Sequence, residues 1–234
     1  MIDSASKRAK RETTLASDIT EELRRDIISG SLAPGGKIRL REVAERFGVG
    51  MSPVREALNR LSRDRLVNQS DLRGFRVAPI SESELDELMR ARCWLNETGL
   101  RESIKRGDAA WEEAVVLAFH RLSRVPDRIA SSPIAANPEW DAAHRVFHRS
   151  LLEACGSRWI VDFCDQLFDV ADIYRHVARA ARDAQTREPT DEHRAIMEAT
   201  VARDADKAVD LLNRHFMRTV TLYKDAVAAM NKKG

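Results

Sequence analysis

Histidine is the side chain best suited to hold a metal near neutral pH, and four of the six histidines in this 234-residue chain fall in an ordered pattern. His144 and His148 stand four apart in a segment that reads as helix, so both project from one face. His193 is in step with Ile196, Met197 and Thr200, and His215 with Leu211, Leu212, Thr219 and Leu222. All four are expected to point into a helical bundle. Burying imidazoles without partners is unfavourable. A shared divalent metal removes that cost, because neutral imidazole is a good ligand for transition metals. The competing arrangement is four separate core histidines, each bonded to a backbone carbonyl or an acid. A pair at i,i+4, joined by two inward histidines from other helices, favours the shared ion. His120 and His176 lack that context.

A metal held this way leaves positions open for a ligand carboxylate. A second carboxylate is best met by the planar fork of an arginine. Arg92 is in step with Leu85, Leu88 and Leu95; Arg175 follows Tyr174 and is in step with Cys164, Phe168 and Ala171. Both are therefore candidate effector contacts, although either can also be a surface arginine whose stem covers apolar neighbours. A histidine-bound metal can also activate water in a hydrolytic enzyme. The chain has no HExxH motif and no carboxylate obviously placed as a general base, so enzyme activity is not expected. A third reading makes the metal itself the signal.

The elements that must position these groups are helices. After Pro79-Ile80, the run Ser81-Glu82-Ser83-Glu84 spells a capping box in which Ser81 and Glu84 satisfy each other's amides. Helices are expected at about 82–105, 109–123, 138–155, 157–182, 190–203 and 206–230. Gly107-Asp108 and Gly156 act as breaks, while Asn137 and Thr190 act as caps. Residues 124–137 hold Pro126 and Pro133 and read as a loop, with no strand expected after residue 80. Residues 81–230 are thus an all-α six-helix unit for metal, effector and dimer contacts.

The N-terminal third has a different design. Arg41 to Arg65 reads as two short helices around Gly48, the first with Val43, Ala44 and Phe47 inward. Ser52 is placed as N-cap and Pro53 as first helical residue of the second helix. Val54, Ala57, Leu58 and Leu61 form its apolar face, opposite Arg55, Asn59, Arg60, Arg63 and Arg65. That is a helix-turn-helix with a basic reading helix. A helix at 15–29 precedes it. Two short strands, 66–69 and 74–78, follow around Ser70-Asp71-Leu72-Arg73. Residues 13–80 are therefore expected to be a winged helix-turn-helix, and residues 1–12 a disordered basic arm that touches phosphate.

Charge follows the same division. Residues 1–80 carry 16 basic and 11 acidic side chains, whereas the whole chain is nearly balanced at +2. One end is suited to nucleic acid. Cys93, Cys155 and Cys164 show no CxxC spacing and read as reduced thiols of a cytoplasmic protein. No apolar run approaches the roughly 20 residues that span a bilayer.

Residues 15–80 resemble the DNA-binding domain of the GntR family of bacterial transcription regulators. The resemblance rests on Ile28-Ser29-Gly30-Ser31-Leu32-Ala33-Pro34-Gly35, Pro53-Val54-Arg55-Glu56-Ala57-Leu58 and Arg73-Gly74-Phe75-Arg76-Val77. It implies that Arg41, Ser52, Arg55 and Gly74 lie at the DNA. Met51 stands where the family often has a basic or polar base reader. Residues 81–230 resemble the FCD effector domain of the FadR-type branch, through Phe147-His148-Arg149-Ser150-Leu151, Ala154-Cys155-Gly156-Ser157, Asp191-Glu192-His193 and Leu211-Leu212-Asn213-Arg214-His215. Many FCD domains hold a metal with one aspartate and three histidines; the histidines correspond to His148, His193 and His215. His144 takes the aspartate's place, which favours zinc or nickel over harder ions. The segments Gly50-Met51-Ser52-Pro53 and Trp140 with Ala154-Cys155-Gly156-Ser157 look most like CsiR-type repressors of dicarboxylate catabolism. The resemblance implies a ligand-responsive repressor that binds a pseudo-palindromic operator as a homodimer and is released by a small carboxylate.

Overall fold

The computed structural model describes residues 15–70, 74–129, 132–180 and 189–231. The expected basic arm, the wing tip at 71–73 and the end of the long helix at 181–182 lie outside the described residues. The chain divides into two compact units, Met1–Pro79 and Ile80–Gly234.

The first unit runs α1 (Leu15–Ile28), β1 (Lys37–Ile38), α2 (Leu40–Phe47), α3 (Met51–Arg63), β2 (Val67–Ser70) and β3 (Gly74–Val77). α1 buries Ile19, Leu23 and Ile27 against α3, which buries Val54, Ala57, Leu58 and Leu61. Gly48 adopts φ 64°, a left-handed conformation that ends α2, and the Val49 N–H returns to the Ala44 carbonyl at 2.9 Å. β3 is central in an antiparallel sheet of order β1-β3-β2, with Val67 opposite Val77 and Ile38 opposite Phe75. Strand β1 was not expected. Two residues beside Gly35-Gly36 are too short to show alternation, and the strand exists through pairing to β3.

Two local expectations change here. α3 begins at Met51 with Gly50 as its cap, so Ser52 lies in the first turn and does not cap the helix. Pro53 fits this position because first-turn amides have no intrahelical partner to lose. Arg60 is not part of an open basic face: it donates to Ser17 at 2.9 Å and to Glu56 at 2.6 Å.

The second unit comprises α4 (Glu82–Arg106), α5 (Ala109–Arg124), β4 (Arg128–Ile129), β5 (Ser132–Ala136), α6 (Pro138–Ser150), α7 (Arg158–Ala180), α8 (Pro189–Val201) and α9 (Ala205–Asn231). α4, α7 and α9 pack on one another, while α5 packs on α6 and α8, and α8 on α9. Leu85, Met89, Leu100, Val115, Phe147, Ile196, Leu212 and Phe216 are fully or almost fully buried between them. Asp108 and Asn137 cap α5 and α6 by accepting from the Trp111 and Glu139 amides, at 2.9 and 3.0 Å.

The region expected to be a loop contains the antiparallel pair β4–β5. Its short strands carry no readable alternation, and the Pro133 of β5 is tolerated in an edge pairing. α6 ends at Ser150 rather than continuing to Cys155, because residues 151–154 tighten into turns before Gly156 at φ 77°. Thr190 lies inside the first turn of α8, which starts at Pro189.

The capping box is also only half formed. Ser81 Oγ accepts from the Glu84 amide at 3.1 Å, as expected. The Ser81 amide, however, donates to the hydroxyl of Tyr174 at 3.3 Å and not to Glu84.

Candidate metal centre and nucleic-acid face

His144 and His148 leave α6 on one face, His193 comes from α8 and His215 from α9. All four side chains are buried, and one nitrogen from each lies within 4.8 Å of the others. The Nε2 atoms of His144 and His148 are 3.0 Å apart. Four imidazole nitrogens about 2.1 Å from one ion stand about 3–4 Å from each other. The observed spread is compatible with one shared ion after small side-chain rotations.

The walls of the site are aromatic. Trp140 stacks on His144 with centroids 4.5 Å apart, and Phe147, Phe168 and Phe216 pack edge-on or tilted against the imidazoles. Burial is the main cause that pushes the His144 and His148 pKa values well below the ordinary imidazole range, and neighbouring imidazoles and arginines add to it. Both rings are thus held neutral, the form that donates a lone pair to a metal. Their Nδ1 atoms are buried without a hydrogen-bond partner. His215 differs: its Nδ1 lies 2.8 Å from Glu192 Oε2, which orients the ring and leaves Nε2 for the centre. Glu192 precedes His193 in sequence yet serves His215 on another helix, so spacing alone did not single it out.

The two arginines expected at the effector differ in their surroundings. Arg92 is buried, its guanidinium 4.0 Å from the Phe216 ring centroid and 5.1 Å from that of Phe168. No carboxylate bonds to it among the described residues, and its Nε is orphaned. Burial pulls its pKa down to about 10, partly offset by Asp172, so it stays charged at neutral pH. Arg175 is already engaged. Its Nε donates to Asp172 at 2.8 Å and its Nη2 to Asp141 at 3.0 Å. Burial alone lowers its pKa, but the two carboxylates outweigh burial and raise it.

Sequence reading missed Arg179 and gave no role to His176. His176 Nε2 lies 3.2 Å and Arg179 Nη1 3.5 Å from the Asp141 carboxylate. The Arg179 guanidinium is 4.9 Å from the Trp140 ring centroid, and that of Arg175 is 5.2 Å away. Burial raises the Asp141 pKa, yet His176 and the two arginines hold it well below the carboxylate range. Trp140 therefore separates an ionic network from the histidines. The i,i+3 and i,i+4 spacing of Asp172, Arg175, His176 and Arg179 on α7 could have flagged it.

On the other unit, Arg41 on α2, Ser52 and Arg55 on α3, and Gly74 at the start of β3 are all exposed. Neither Arg41 nor Arg55 forms an ion pair among the described residues, so both guanidinium groups are open to a polyanion. Gly74 adopts φ 73° where the wing re-enters the sheet, a conformation a side chain would strain.

Residues 15–77 match the family described as bacterial regulatory proteins, gntR family, and residues 87–218 match the FCD domain. A relative from Paraburkholderia xenovorans (strain LB400), described as the uncharacterized HTH-type transcriptional regulator BphR, is 34% identical over 87% of this chain and 83% of its own. The chain belongs to the GntR family. It combines the family's helix-turn-helix domain with an FCD domain, and the family is one of transcription regulators, not enzymes. The HTH-type transcriptional repressor GlaR of Escherichia coli (strain K12) is 32% identical over 88% of this chain and 94% of its own. Among solved structures, E. coli McbR/YncC superposes with a TM-score of 0.74 at 19% identity, over 91% of this chain and 98% of that one. A transcriptional regulator structure from Rhodococcus sp. RHA1 gives 0.70 at 23% identity, over 90% and 98%. These two support the fold. No helix among the described residues is long and apolar enough to cross a membrane.

Proposed function

We propose that this GntR-family protein is a cytoplasmic repressor that leaves its operator when a small dicarboxylate occupies the histidine centre. His144, His148, His193 and His215 hold one divalent ion, zinc or nickel, because an all-nitrogen neutral donor set suits borderline metals better than hard ones. When bound, that ion supplies a Lewis-acidic position for one carboxylate. Arg92 receives the second carboxylate. Arg175, held by Asp141 and Asp172, contributes through its field and its remaining buried Nη1 rather than as an open fork.

The observation that carries this reading is the pairing of two features in one unit. Four buried imidazoles converge within 4.8 Å, and Arg92 is a buried cation to which no carboxylate bonds among the described residues. A buried charge with no carboxylate bonded to it, only partly offset by Asp172, is unfavourable, and an anionic ligand relieves it. That the relative GlaR is a transcriptional repressor supports the sign of regulation.

DNA is read by α3 and the wing, with Arg55 at a base edge or phosphate, Ser52 beside it, Arg41 at the backbone and Gly74 at the wing. One winged helix reads only a few base pairs, so the protein works as a two-fold dimer on a pseudo-palindrome. Trp94 on α4 and Trp159 and Phe163 on α7 are exposed apolar side chains available to a subunit contact. Sedimentation showing a monomer with and without DNA would refute the dimer.

The functional test titrates the full-length protein onto DNA from upstream of its own gene, with succinate or glutarate present and with metal present or chelated. Release by unchanged dicarboxylate in the metal-loaded protein is expected. Release by chelator alone would make the metal the signal, and no dependence on either would overturn the effector reading.

A further inference from the structure

The Ser81 amide should be satisfied within its own capping box, by Glu84 three residues on. Instead it donates at 3.3 Å to Tyr174, 93 residues away on α7. The Tyr174 hydroxyl in turn donates toward Glu84 Oε2 at 3.5 Å. A tyrosine hydroxyl is thus inserted into the box, donating to one member and accepting from the other. Tyr174 is only 1% exposed, so this is a specific insertion and not a surface side chain settling on a neighbour.

Both ends of the connection matter. Ser81 caps α4 two residues after Pro79, the last residue of the first unit, so the chain arrives there from the DNA-binding domain. Tyr174 directly precedes Arg175, on the helix that also carries Phe168 and Asp172. Its ring packs on Tyr223 with centroids 5.1 Å apart, and Tyr223 lies two turns beyond His215 on α9. Lys224, next to Tyr223, reaches both oxygens of Asp86 on α4 at 2.9 and 2.8 Å. The first turns of α4 are therefore fastened to the two helices that bring Arg175 and His215 to the site.

We infer that the Tyr174 hydroxyl is a coupling device that reports the state of the histidine centre to the start of α4, where the linker from the DNA-binding domain ends. This rests on the reading that the centre takes a metal. Filling the centre shifts α7 or α9 slightly. The hydroxyl then strengthens or releases its bond to the Ser81 amide, and Glu84 stands ready to close the box locally when it is released. Tyr174 is a positioning residue with no ligand contact of its own in this account.

Tyr174→Phe separates coupling from structure. It keeps the ring on Tyr223, and the box can close through Glu84, so α4 stays capped. The experiment uses the full-length protein with zinc alone as probe. Hydrogen exchange of the segment 80–84 is followed with and without zinc, and zinc content and melting temperature are measured in parallel. In the wild type, zinc should change exchange at this segment roughly three- to tenfold, the range set by gaining or losing one hydrogen bond. Tyr174→Phe should bind zinc equally and lose that dependence. Glu84→Ala, an exposed change that leaves Tyr174 intact, should enlarge the zinc effect because the local alternative is gone. Equal zinc dependence in wild type and Tyr174→Phe overturns the inference, as does zinc binding without any change in the wild type. If Tyr174→Phe misfolds, an unchanged or reduced effect in Glu84→Ala decides against it. Failure of the wild type to take up zinc is a different result: it removes the metal reading, and this inference falls with it.

Discussion

The two units of the chain treat unpaired arginine in opposite ways. In the winged-helix unit, Arg41 and Arg55 are exposed and form no ion pair among the described residues. In the helical unit, Arg92 also has no carboxylate bonded to it among the described residues, but it is buried against Phe168 and Phe216. Water solvates the first two at no cost to the fold. Their openness supports DNA binding only together with the helix, turn and wing that present them. Burial of Arg92 is unfavourable unless a compensating anion arrives, so it is stronger evidence for a ligand. The same physics leaves solvated arginines on one unit and, in the other, a buried cation walled by aromatic rings.

The largest expected effect lies in the enclosed unit. His148→Ala or His215→Ala should weaken metal binding by about 2.5–4 kcal/mol, a quarter share of the roughly 10–16 kcal/mol of a four-ligand zinc site. Competition with a chromogenic chelator measures this. Operator binding should persist, since the winged helix has its own core; its loss with the metal would erase the contrast between the units.

Asp141→Asn comes next. Leaving Arg175, Arg179 and His176 around a neutral side chain should destabilise the helical unit by about 3 kcal/mol at neutral pH, read from urea unfolding. The native state holds this carboxyl below its ordinary pKa. Its stabilisation is therefore fully present above the unfolded value and lost as pH falls through the folded one. The gap between wild type and Asp141→Asn should narrow below about pH 4. A gap that widens on acidification would show that the network does not act through Asp141 as drawn.

On the open unit, Arg55→Ala should lower specific operator affinity by ~1–3 kcal/mol and leave the melting temperature unchanged. Wild-type affinity in that variant would mean that α3 is not the reading helix. The smallest effect is expected at Arg92. Arg92→Met should stabilise the ligand-free protein by about 1 kcal/mol, because a buried charge that Asp172 only partly offsets is replaced by an apolar side chain. It should also abolish the dicarboxylate response. If Arg92→Met is destabilised and still responds, Arg92 serves the fold and not the ligand.

Much of this was legible in the sequence, for a definable reason. Periodicity reports which face of a helix is buried, so it found the inward course of His144, His148, His193, His215 and Arg92. It does not report which residue of another helix waits on that face. The partners therefore escaped: Glu192 for His215, Asp141 for Arg175, Arg179 and His176, and Tyr174 for Ser81. Short pairings were lost for a related reason. β1 and the β4–β5 hairpin exist because a partner strand lies alongside, not because two to five residues alternate. The Ser52 cap failed on a finer point, since Gly50 and Ser52 both fit the start of a helix carrying Pro53 in its first turn.

Four buried histidines that converge within 4.8 Å should hold one metal ion. The direct measurement is elemental analysis of full-length protein purified without chelator and without a nickel column. The account predicts about one equivalent of zinc or nickel per chain, lost in His148→Ala. Less than about a tenth of an equivalent of any transition metal, in protein that still leaves its operator when dicarboxylate is added, would contradict it.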